Sequence, residues 1–271
     1  MTTLADTGFL DLPPHRLEYR MVGPRPDAAP TIMLLHEGLG SAGQWGDFAE
    51  KLSTATGMGV FAWSRIGYGQ SSPAALPRGL DFMHVEAREI LPRLLDAIGF
   101  QQGVLVGHSD GASIAAIYAG SVQDHRVQGL VLMAPHFIVE DCTMNAIRTV
   151  RKAFDSDADL RARFARRHAD AATTVRGWSD VWLHNDVTKW DLREDLAYIR
   201  VPVLIVQGEG DDFGSARQIE IAREECYCPV EGMLLPGVKH HPHREAPDRV
   251  LAAIADFCRR LVPEAASTPG R

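Results

Sequence analysis

The chain has 271 residues, of which 45% are hydrophobic and 23% are charged, with 24 Gly and 16 Pro. These fractions are ordinary for a globular protein and argue against a chain that is mainly disordered, collagen-like or coiled coil. Acidic side chains outnumber basic ones by 35 to 28, which gives a formal net charge of −7. This charge favours neither a nucleic-acid partner nor binding to an anionic membrane surface.

The N-terminal segment and the cysteines predict a cytoplasmic protein with reduced thiols. Residues 1–16 contain neither the positively charged region nor the apolar region of a secretory signal. No apolar run approaches the roughly 18 residues of a membrane-spanning helix. The cysteines are too few and too irregularly spaced for a disulfide framework. Cys226 and Cys228 form a close pair, but no second pair accompanies them to complete the ligand set of a zinc site.

Short apolar segments separated by helix-length intervals predict an α/β fold. Near-continuous apolar runs are typical of strands that are buried on both faces of a parallel sheet. Helical spacing of apolar residues recurs between them, for example over residues 82–98 and 250–261. We therefore predict a mostly parallel, doubly wound sheet, with an antiparallel edge hairpin at residues 17–22. The other strand candidates are residues 31–35, 60–63, 104–106, 130–133, 203–206 and 233–235.

One interval interrupts this alternation of strands and helices. Residues 137–199 show helical patterns only, and a connection of this length needs structure of its own. We predict that they form a helical cap insertion over one edge of the sheet, whose core consists of residues 1–136 and 200–262. The arginine run of the insertion is interpreted as a solvated helix face, with contact to an acidic substrate as the alternative. Residues 263–271 are small and polar and predict a flexible tail.

A G-x-S-x-G motif follows one predicted strand and precedes a helical pattern. Its residues are Gly107, His108, Ser109, Asp110 and Gly111. The two glycines leave room for the tight turn that projects a nucleophile, and the helix N-terminus favours a developing oxyanion. We predict Ser109 as the nucleophile. A solvent-facing serine in an ordinary glycine-rich turn is the alternative interpretation.

A nucleophilic serine needs a base and an orienting acid at the same carboxyl end of the sheet. Asp211 and His240 follow the last two predicted strands, which gives the chain order Ser, Asp, His expected for a hydrolase of this architecture. Asp212 as the acid, and His241 or His243 as the base, stay open at this point. The histidines alone do not predict a metal site, because no carboxylate stands at a matching spacing.

The loop after the first core strand is predicted to supply the second oxyanion donor. Its glycines permit close approach of the backbone to a ligand, and we predict the N–H groups of Gly38 and Asp110 as the two donors. The substrate-pocket candidates are His36, Glu37, His108, Trp178 and Trp182. We interpret the two histidines as packed or bracing residues, and the two tryptophans as packing between the insertion and the core.

Five segments in order resemble the α/β-hydrolase superfamily over nearly the whole chain. They are LLHEGLGS, WSRIGYGQSS, GHSDG, QGEGDDFG and HHPHREAP, which begin at residues 34, 63, 107, 207 and 240. The resemblance implies an α/β-hydrolase fold with a helical cap between the sixth and seventh strands. It also implies a triad of Ser109, His240 and Asp211, and an oxyanion hole of two backbone amides.

The sequence departs from the usual pattern of that family at three positions. Glu37 precedes Gly38 where many members have glycine, and Ser64 stands where many have aspartate. Asp110 follows the nucleophile where larger or apolar residues are common, and its carboxylate is expected to disfavour anionic acyl groups. A serine nucleophile argues against the haloalkane dehalogenases and epoxide hydrolases, which use a carboxylate.

These observations predict a serine hydrolase that cleaves a carboxylic ester of modest size, with no metal or organic cofactor. Lactones, thioesters and carbon–carbon bonds are alternative substrates of the same triad, since the fold does not choose among them. A cofactor-free dioxygenase and a non-catalytic small-molecule receptor are the remaining alternatives. We expect a monomer or homodimer whose partner is a small-molecule substrate, without nucleic acid or membrane.

Overall fold

The centre of the fold is an eight-stranded sheet within residues 4–262, the part of the chain that this computed structural model describes. The strands are β1 (Thr7–Leu12), β2 (His15–Val22), β3 (Thr31–Leu35), β4 (Gly59–Trp63), β5 (Gly103–His108), β6 (Val127–Met133), β7 (Val203–Gly208) and β8 (Val230–Leu235). Their order is β1-β2-β4-β3-β5-β6-β7-β8. β1 and β2 form an antiparallel edge hairpin, β2 is antiparallel to β4, and β3 to β8 run parallel. The predicted tail at residues 263–271 lies outside the described residues.

Alternate side chains of the central strands face two different apolar cores. In β3, Met33 and Leu35 pack into one core, whereas Ile32 and Leu34 pack into the other. Successive side chains of a strand point to opposite faces, so a run of buried apolar residues requires helices on both faces of the sheet. This arrangement confirms the predicted mostly parallel, doubly wound α/β fold.

Helices fill both layers. α1 and α11 cover one face of the sheet, and α3, α4 and α9 lie on the other. None of the helices described between residues 4 and 262 is long and apolar enough to cross a membrane. The α-helices are α1 (Phe48–Thr56), α2 (Phe82–Val85), α3 (Leu91–Ala97), α4 (Asp110–Ser121), α5 (Asp141–Ser156), α6 (Ala158–Ala165), α7 (Ala171–Trp182), α8 (Arg193–Ala197), α9 (Arg217–Glu225), α10 (Pro242–Glu245) and α11 (Pro247–Leu261), with a π turn at Glu86–Ile90 and 3₁₀ turns at Ala42–Trp45 and Asn185–Lys189.

The segment between β6 and β7 contains α5 to α8, and we call its residues 137–199 the cap. The prediction of helices only is wrong at its base, where Ile138 and Asp191 form an isolated antiparallel bridge. Thr174 Oγ1 donates to Gly67 O at 2.7 Å, which places α7 over the loop after β4, one of the inner strands. The division of the chain into a separate core and cap stays a prediction.

Candidate active site

Ser109 occupies the tight turn between β5 and α4. Its φ of 54° is a left-handed conformation that costs a residue other than glycine about 1–3 kcal/mol. A Cβ at Gly107 would lie 2.4 Å from Gly111 O, and one at Gly111 would lie 2.1 Å from Leu35 O, so both glycines are required. The Ser109 N–H donates to Met133 O at 2.9 Å, which fixes the turn against the end of β6.

His240 and Asp211 form a hydrogen-bonded row with Ser109. His240 Nε2 lies 3.0 Å from Ser109 Oγ, and both carboxylate oxygens of Asp211 lie 2.9 Å from His240 Nδ1. A carboxylate accepts only, so we assign the ring proton to Nδ1, which leaves the Nε2 lone pair facing the hydroxyl. Of the alternatives, Asp212 is exposed to solvent, and the His243 ring packs against Trp45 and Phe48 instead of facing Ser109.

Hydrogen bonds fix the Asp211 carboxylate and set the charges of the row. Gln207 Nε2 donates to Oδ2 and the Phe213 N–H donates to Oδ1, both at 2.8 Å. Burial alone would raise the pKa of Asp211, but His240 and the Phe213 N–H hold it below its ordinary value. Burial lowers the pKa of His240, against the opposing effect of Asp211, so the imidazole is neutral at neutral pH.

Arg65 sets the direction of the Gly38 N–H group. The Glu37 carbonyl accepts from Arg65 Nη2 at 2.9 Å and from His36 Nδ1 at 2.7 Å. A trans peptide points its C=O and N–H in opposite directions, so the adjoining N–H of Gly38 points away from Arg65. His36 Nε2 accepts from the Arg65 N–H at 3.1 Å, so His36 braces this loop from within, as expected. The fully buried Arg65 lies in one of the five motif segments, yet its role was not predicted.

The Asp110 N–H is directed in a similar way. The Ser109 carbonyl accepts from the N–H groups of Ala112 at 2.9 Å and Ser113 at 3.1 Å inside α4. The adjoining Asp110 N–H therefore points out of the helix N-terminus, where the helix dipole is positive. Neither this N–H nor that of Gly38 has an acceptor within residues 4–262. The structure thus places two free donors beside Ser109, and their role as an oxyanion hole stays a prediction.

A second imidazole near Ser109 was missed in the sequence. His136 Nε2 lies 3.4 Å from Ser109 Oγ, and its buried Nδ1 has no partner in the described part of the chain. Burial, followed by the charge of His240, lowers the pKa of His136 to about 3, so the ring is neutral. His136 stands on the loop after β6, and a histidine after a parallel strand is the signal that could have found it.

Two carboxylates next to the site differ in charge. Burial raises the pKa of Asp110 to about 6, and its Oδ2 has no hydrogen-bond partner among residues 4–262. Glu37 is partly buried, but His108 and Arg244 hold its pKa well below the ordinary range. His108 Nδ1 lies 3.6 Å from Glu37 Oε2, while its Nε2 bonds the His240 carbonyl at 2.7 Å. His108 is therefore a packed, hydrogen-bonded residue, as expected.

A cavity of about 340 Å³ opens above Ser109, between the cap and the strand ends. Of the predicted pocket residues, Glu37, Trp178 and Trp182 line it, whereas His36 and His108 lie behind the wall. The cap side is mostly apolar, and polar groups cluster at the strand ends. The apolar lining comes from Ile147, Val150, Ala153, Leu160, Phe164, Trp178 and Trp182 of the cap, with Leu39 and Phe213.

Comparisons with known proteins identify the family and the fold of this chain. The family model described as alpha/beta hydrolase fold matches residues 30–177. The chain is 27% identical to the serine hydrolase BPHL of Mus musculus over 251 residues, which covers 89% of this chain and 82% of that protein. It is 23% identical to a proline iminopeptidase of Lactobacillus helveticus over 232 residues, covering 71% and 78%. The enol-lactonase structure from Burkholderia xenovorans superposes with a TM-score of 0.72 at 17% identity, covering 92% of this chain and 99% of that chain. These findings confirm the predicted family resemblance and fold.

Proposed function

Because the chain belongs to the alpha/beta hydrolase family, we propose that it is a serine hydrolase that cleaves carboxylic esters through an acyl-enzyme. The observation that carries this proposal is the hydrogen-bonded row from Ser109 Oγ through His240 to Asp211. The row ends at a serine whose turn is built by close glycine contacts. No such arrangement is needed for packing alone, and it matches the geometry of nucleophile, base and orienting acid.

In the proposed reaction, Ser109 attacks the ester carbonyl while its hydroxyl proton moves to His240 Nε2. Asp211 keeps the ring proton on Nδ1 and stabilises the imidazolium that forms. The tetrahedral oxyanion accepts hydrogen bonds from the N–H groups of Gly38 and Asp110, which are already directed before the substrate binds. His240 then gives its proton to the leaving alcohol, and water attacks the acyl-enzyme by the same route in reverse.

The cavity supports a substrate of modest size with an apolar portion. Its volume of about 340 Å³ is at the lower end of the range for small-molecule sites. The apolar cap wall suits an alkyl or aryl group of the ester. The buried Asp110 carboxylate beside the nucleophile disfavours an anionic acyl group, most strongly above pH 6, where it is charged. Lactones, thioesters and carbon–carbon bonds are alternatives that the same residues can serve.

The proposal is tested by labelling with a fluorophosphonate and by turnover of p-nitrophenyl esters. We expect one adduct per chain by intact mass, mapped by peptide analysis to Ser109, together with turnover of short-chain esters. Ser109→Ala should lose both the adduct and at least about 10³-fold of the turnover while staying folded. Ser121→Ala, at the exposed far end of the same helix, is the matched control and should keep both.

The outcomes separate the parts of the proposal. A Ser109 adduct without ester turnover would retain the activated serine and contradict ester specificity, in favour of lactone, thioester or carbon–carbon substrates. Absence of an adduct on a folded sample would overturn the serine hydrolase assignment. Ester turnover that survives in folded Ser109→Ala would overturn the assignment of the nucleophile.

A further inference from the structure

Three potential metal ligands meet behind the wall of the proposed active site. Glu37, His108 and His241 each offer one ligand atom, and these atoms lie within 4.8 Å of one another. Glu37 and His241 come from the loops after β3 and β8, and His108 is the last residue of β5. The carboxylate that the sequence spacing did not supply to the histidines is therefore supplied by the fold.

The hydrogen bond of His108 leaves its other nitrogen without a partner. His108 Nε2 lies 2.7 Å from the carbonyl oxygen of His240, which only accepts, so Nε2 carries a proton. Nδ1 is buried, has no hydrogen-bond partner within the described residues, and lies 3.6 Å from Glu37 Oε2. In a neutral ring the Nδ1 lone pair then faces a carboxylate, which repels it unless a proton or a cation lies between them.

Glu37 and His241 both keep ligand atoms for such a cation. Arg244 Nη2 lies 3.5 Å from Glu37 Oε1, and this leaves Oε2 on the side of His108. The buried Nδ1 of His241 has no partner either, as far as the described chain extends. Glu37 and His241 line the active-site cavity, whereas His108 is fully buried behind them. An ion could thus enter from the cavity.

We propose that Glu37, His108 and His241 bind a divalent cation of the zinc class at the back of the active-site cavity. Two imidazoles and one carboxylate suit Zn²⁺, and the fourth position faces the cavity and is left for water. Tetrahedral bonds of about 2.1 Å bring ligand atoms to about 3.4 Å from one another, so the side chains close slightly around the ion. The backbone carbonyl behind the His108 Nε2–H is a usual partner of a metal-bound imidazole.

This site acts on the proposed catalytic base through one hydrogen bond. A cation on His108 Nδ1 polarises the ring and strengthens the bond that Nε2–H donates to the His240 carbonyl. The cation also holds Glu37, whose own carbonyl belongs to the peptide that presents the Gly38 N–H. The proposal goes beyond the proposed ester hydrolysis, which needs no ion, and it does not depend on it. It predicts a regulatory or structural ion rather than one that activates the attacking water.

Binding is measured without any substrate. The full chain is treated with EDTA, freed of it, and titrated with Zn²⁺ by isothermal titration calorimetry. We expect one ion per chain with a Kd of about 10 μM or tighter. Glu37→Gln and His241→Asn should each weaken binding at least about tenfold. The matched control, His125→Gln, removes an exposed imidazole outside the group and should bind as the wild type does.

Two further variants exclude other sites. The double variant Cys226→Ser/Cys228→Ser removes the close thiol pair and should keep the affinity, and Ser109→Ala should keep it as well. Circular dichroism confirms that each variant is folded. The visible spectrum of the Co²⁺-loaded chain should show a tetrahedral nitrogen and oxygen site without a sulfur charge-transfer band. Absence of binding to the folded wild type, equal binding to Glu37→Gln and His241→Asn, or loss in the cysteine variant would each overturn the proposal.

Discussion

At the scale of single residues, two imidazoles contact the Ser109 hydroxyl, but only one has a carboxylate behind it. His136 lies at 3.4 Å and its Nδ1 lacks a partner within residues 4–262, whereas His240 lies at 3.0 Å and is held by Asp211. We expect His240→Asn to lower kcat/KM by about 10³-fold or more, and His136→Asn by about tenfold or less. Ester turnover of the two folded variants measures this difference, and equal losses would contradict the assigned base.

The proposed acid, Asp211, differs from its neighbour Asp212 in its hydrogen bonds. Asp211 accepts hydrogen bonds from His240, Gln207 and Phe213, whereas Asp212 is exposed. Asp211→Asn loses the charge that stabilises the imidazolium and should lower kcat roughly 10³- to 10⁴-fold. Asp212→Asn should stay within about threefold of the wild type, since exposed substitutions away from a site change little. The reverse order in kcat measurements would move the acid to Asp212.

Asp110 predicts a stability that depends on pH. Burial raises its pKa from 3.8 to about 6, so the folded protein holds this proton more tightly than the unfolded chain. Ionisation of the side chain therefore has no effect on stability below pH 4, becomes destabilising between pH 4 and 6, and above that costs about 3 kcal/mol. Asp110→Asn should raise the free energy of unfolding by about 1–3 kcal/mol at pH 8 and change it little at pH 4.

Chemical denaturation at the two pH values measures this effect. Asp212→Asn is the control, because its carboxyl is exposed to solvent and the same substitution there should give no such difference. Destabilisation by Asp110→Asn of equal size at both pH values would contradict the burial argument. Since the Asn variant keeps the backbone N–H, its effect on anionic and neutral ester substrates reports on the side chain alone.

At the scale of elements, α7 of the cap touches the loop that presents the Gly38 N–H. A Cβ at Gly38 would lie 2.1 Å from Trp178 Nε1. We expect Gly38→Ala to lower kcat/KM at least about tenfold, because the loop or α7 must shift. In a Trp178→Ala background the same change should cost less than about threefold, because the indole is gone. Ester kinetics of the double-mutant cycle measure the coupling, and losses that simply multiply would contradict this contact.

The strands were predictable to the extent that their residues are apolar. β3 runs from Thr31 to Leu35, as its apolar run predicts, because both of its faces are buried. β5 extends beyond its apolar run to Gly103 and His108, since backbone pairing continues through residues without an apolar side chain. The bridge of Ile138 with Asp191 and the π turn in the helical region after β4 depend on tertiary packing and leave no periodic signal.

The sequence predicted those residues of the candidate site that follow directly after a parallel strand. Ser109, Asp211 and His240 follow their strands, and parallel strands deliver such residues to the same edge. The contacts of His136 with Ser109, and of Glu37 with His108, join residues that are far apart in the sequence. They depend on the strand order and on side-chain directions, which no local pattern contains. The same holds for Arg65, whose guanidinium acts on carbonyls of another loop.

At the scale of the whole molecule, one edge of the sheet supports both the hydrogen-bonded row that includes Ser109 and the proposed metal ligands. All six parallel strands end at the same edge, and helices cover both faces, so the loops there are held by a rigid base. The cavity of the proposed active site lies between these strand ends and the cap. The hairpin of β1 and β2 lies at the side of the sheet opposite β8 and contributes no residue to the cavity lining.

The strained turn at Ser109 also bears on how variants of this protein would be recovered from a library. Ser109 and Ala134 both hold a positive φ, at 54° and 47°, and each such residue costs about 1–3 kcal/mol. Against a typical folding free energy of about 5–15 kcal/mol, that is a large share. Screening for heat resistance alone would therefore enrich glycine substitutions at both positions. Screening for turnover would tolerate the change at Ala134 but reject it at Ser109. The two screens would therefore select different residues at the proposed nucleophile.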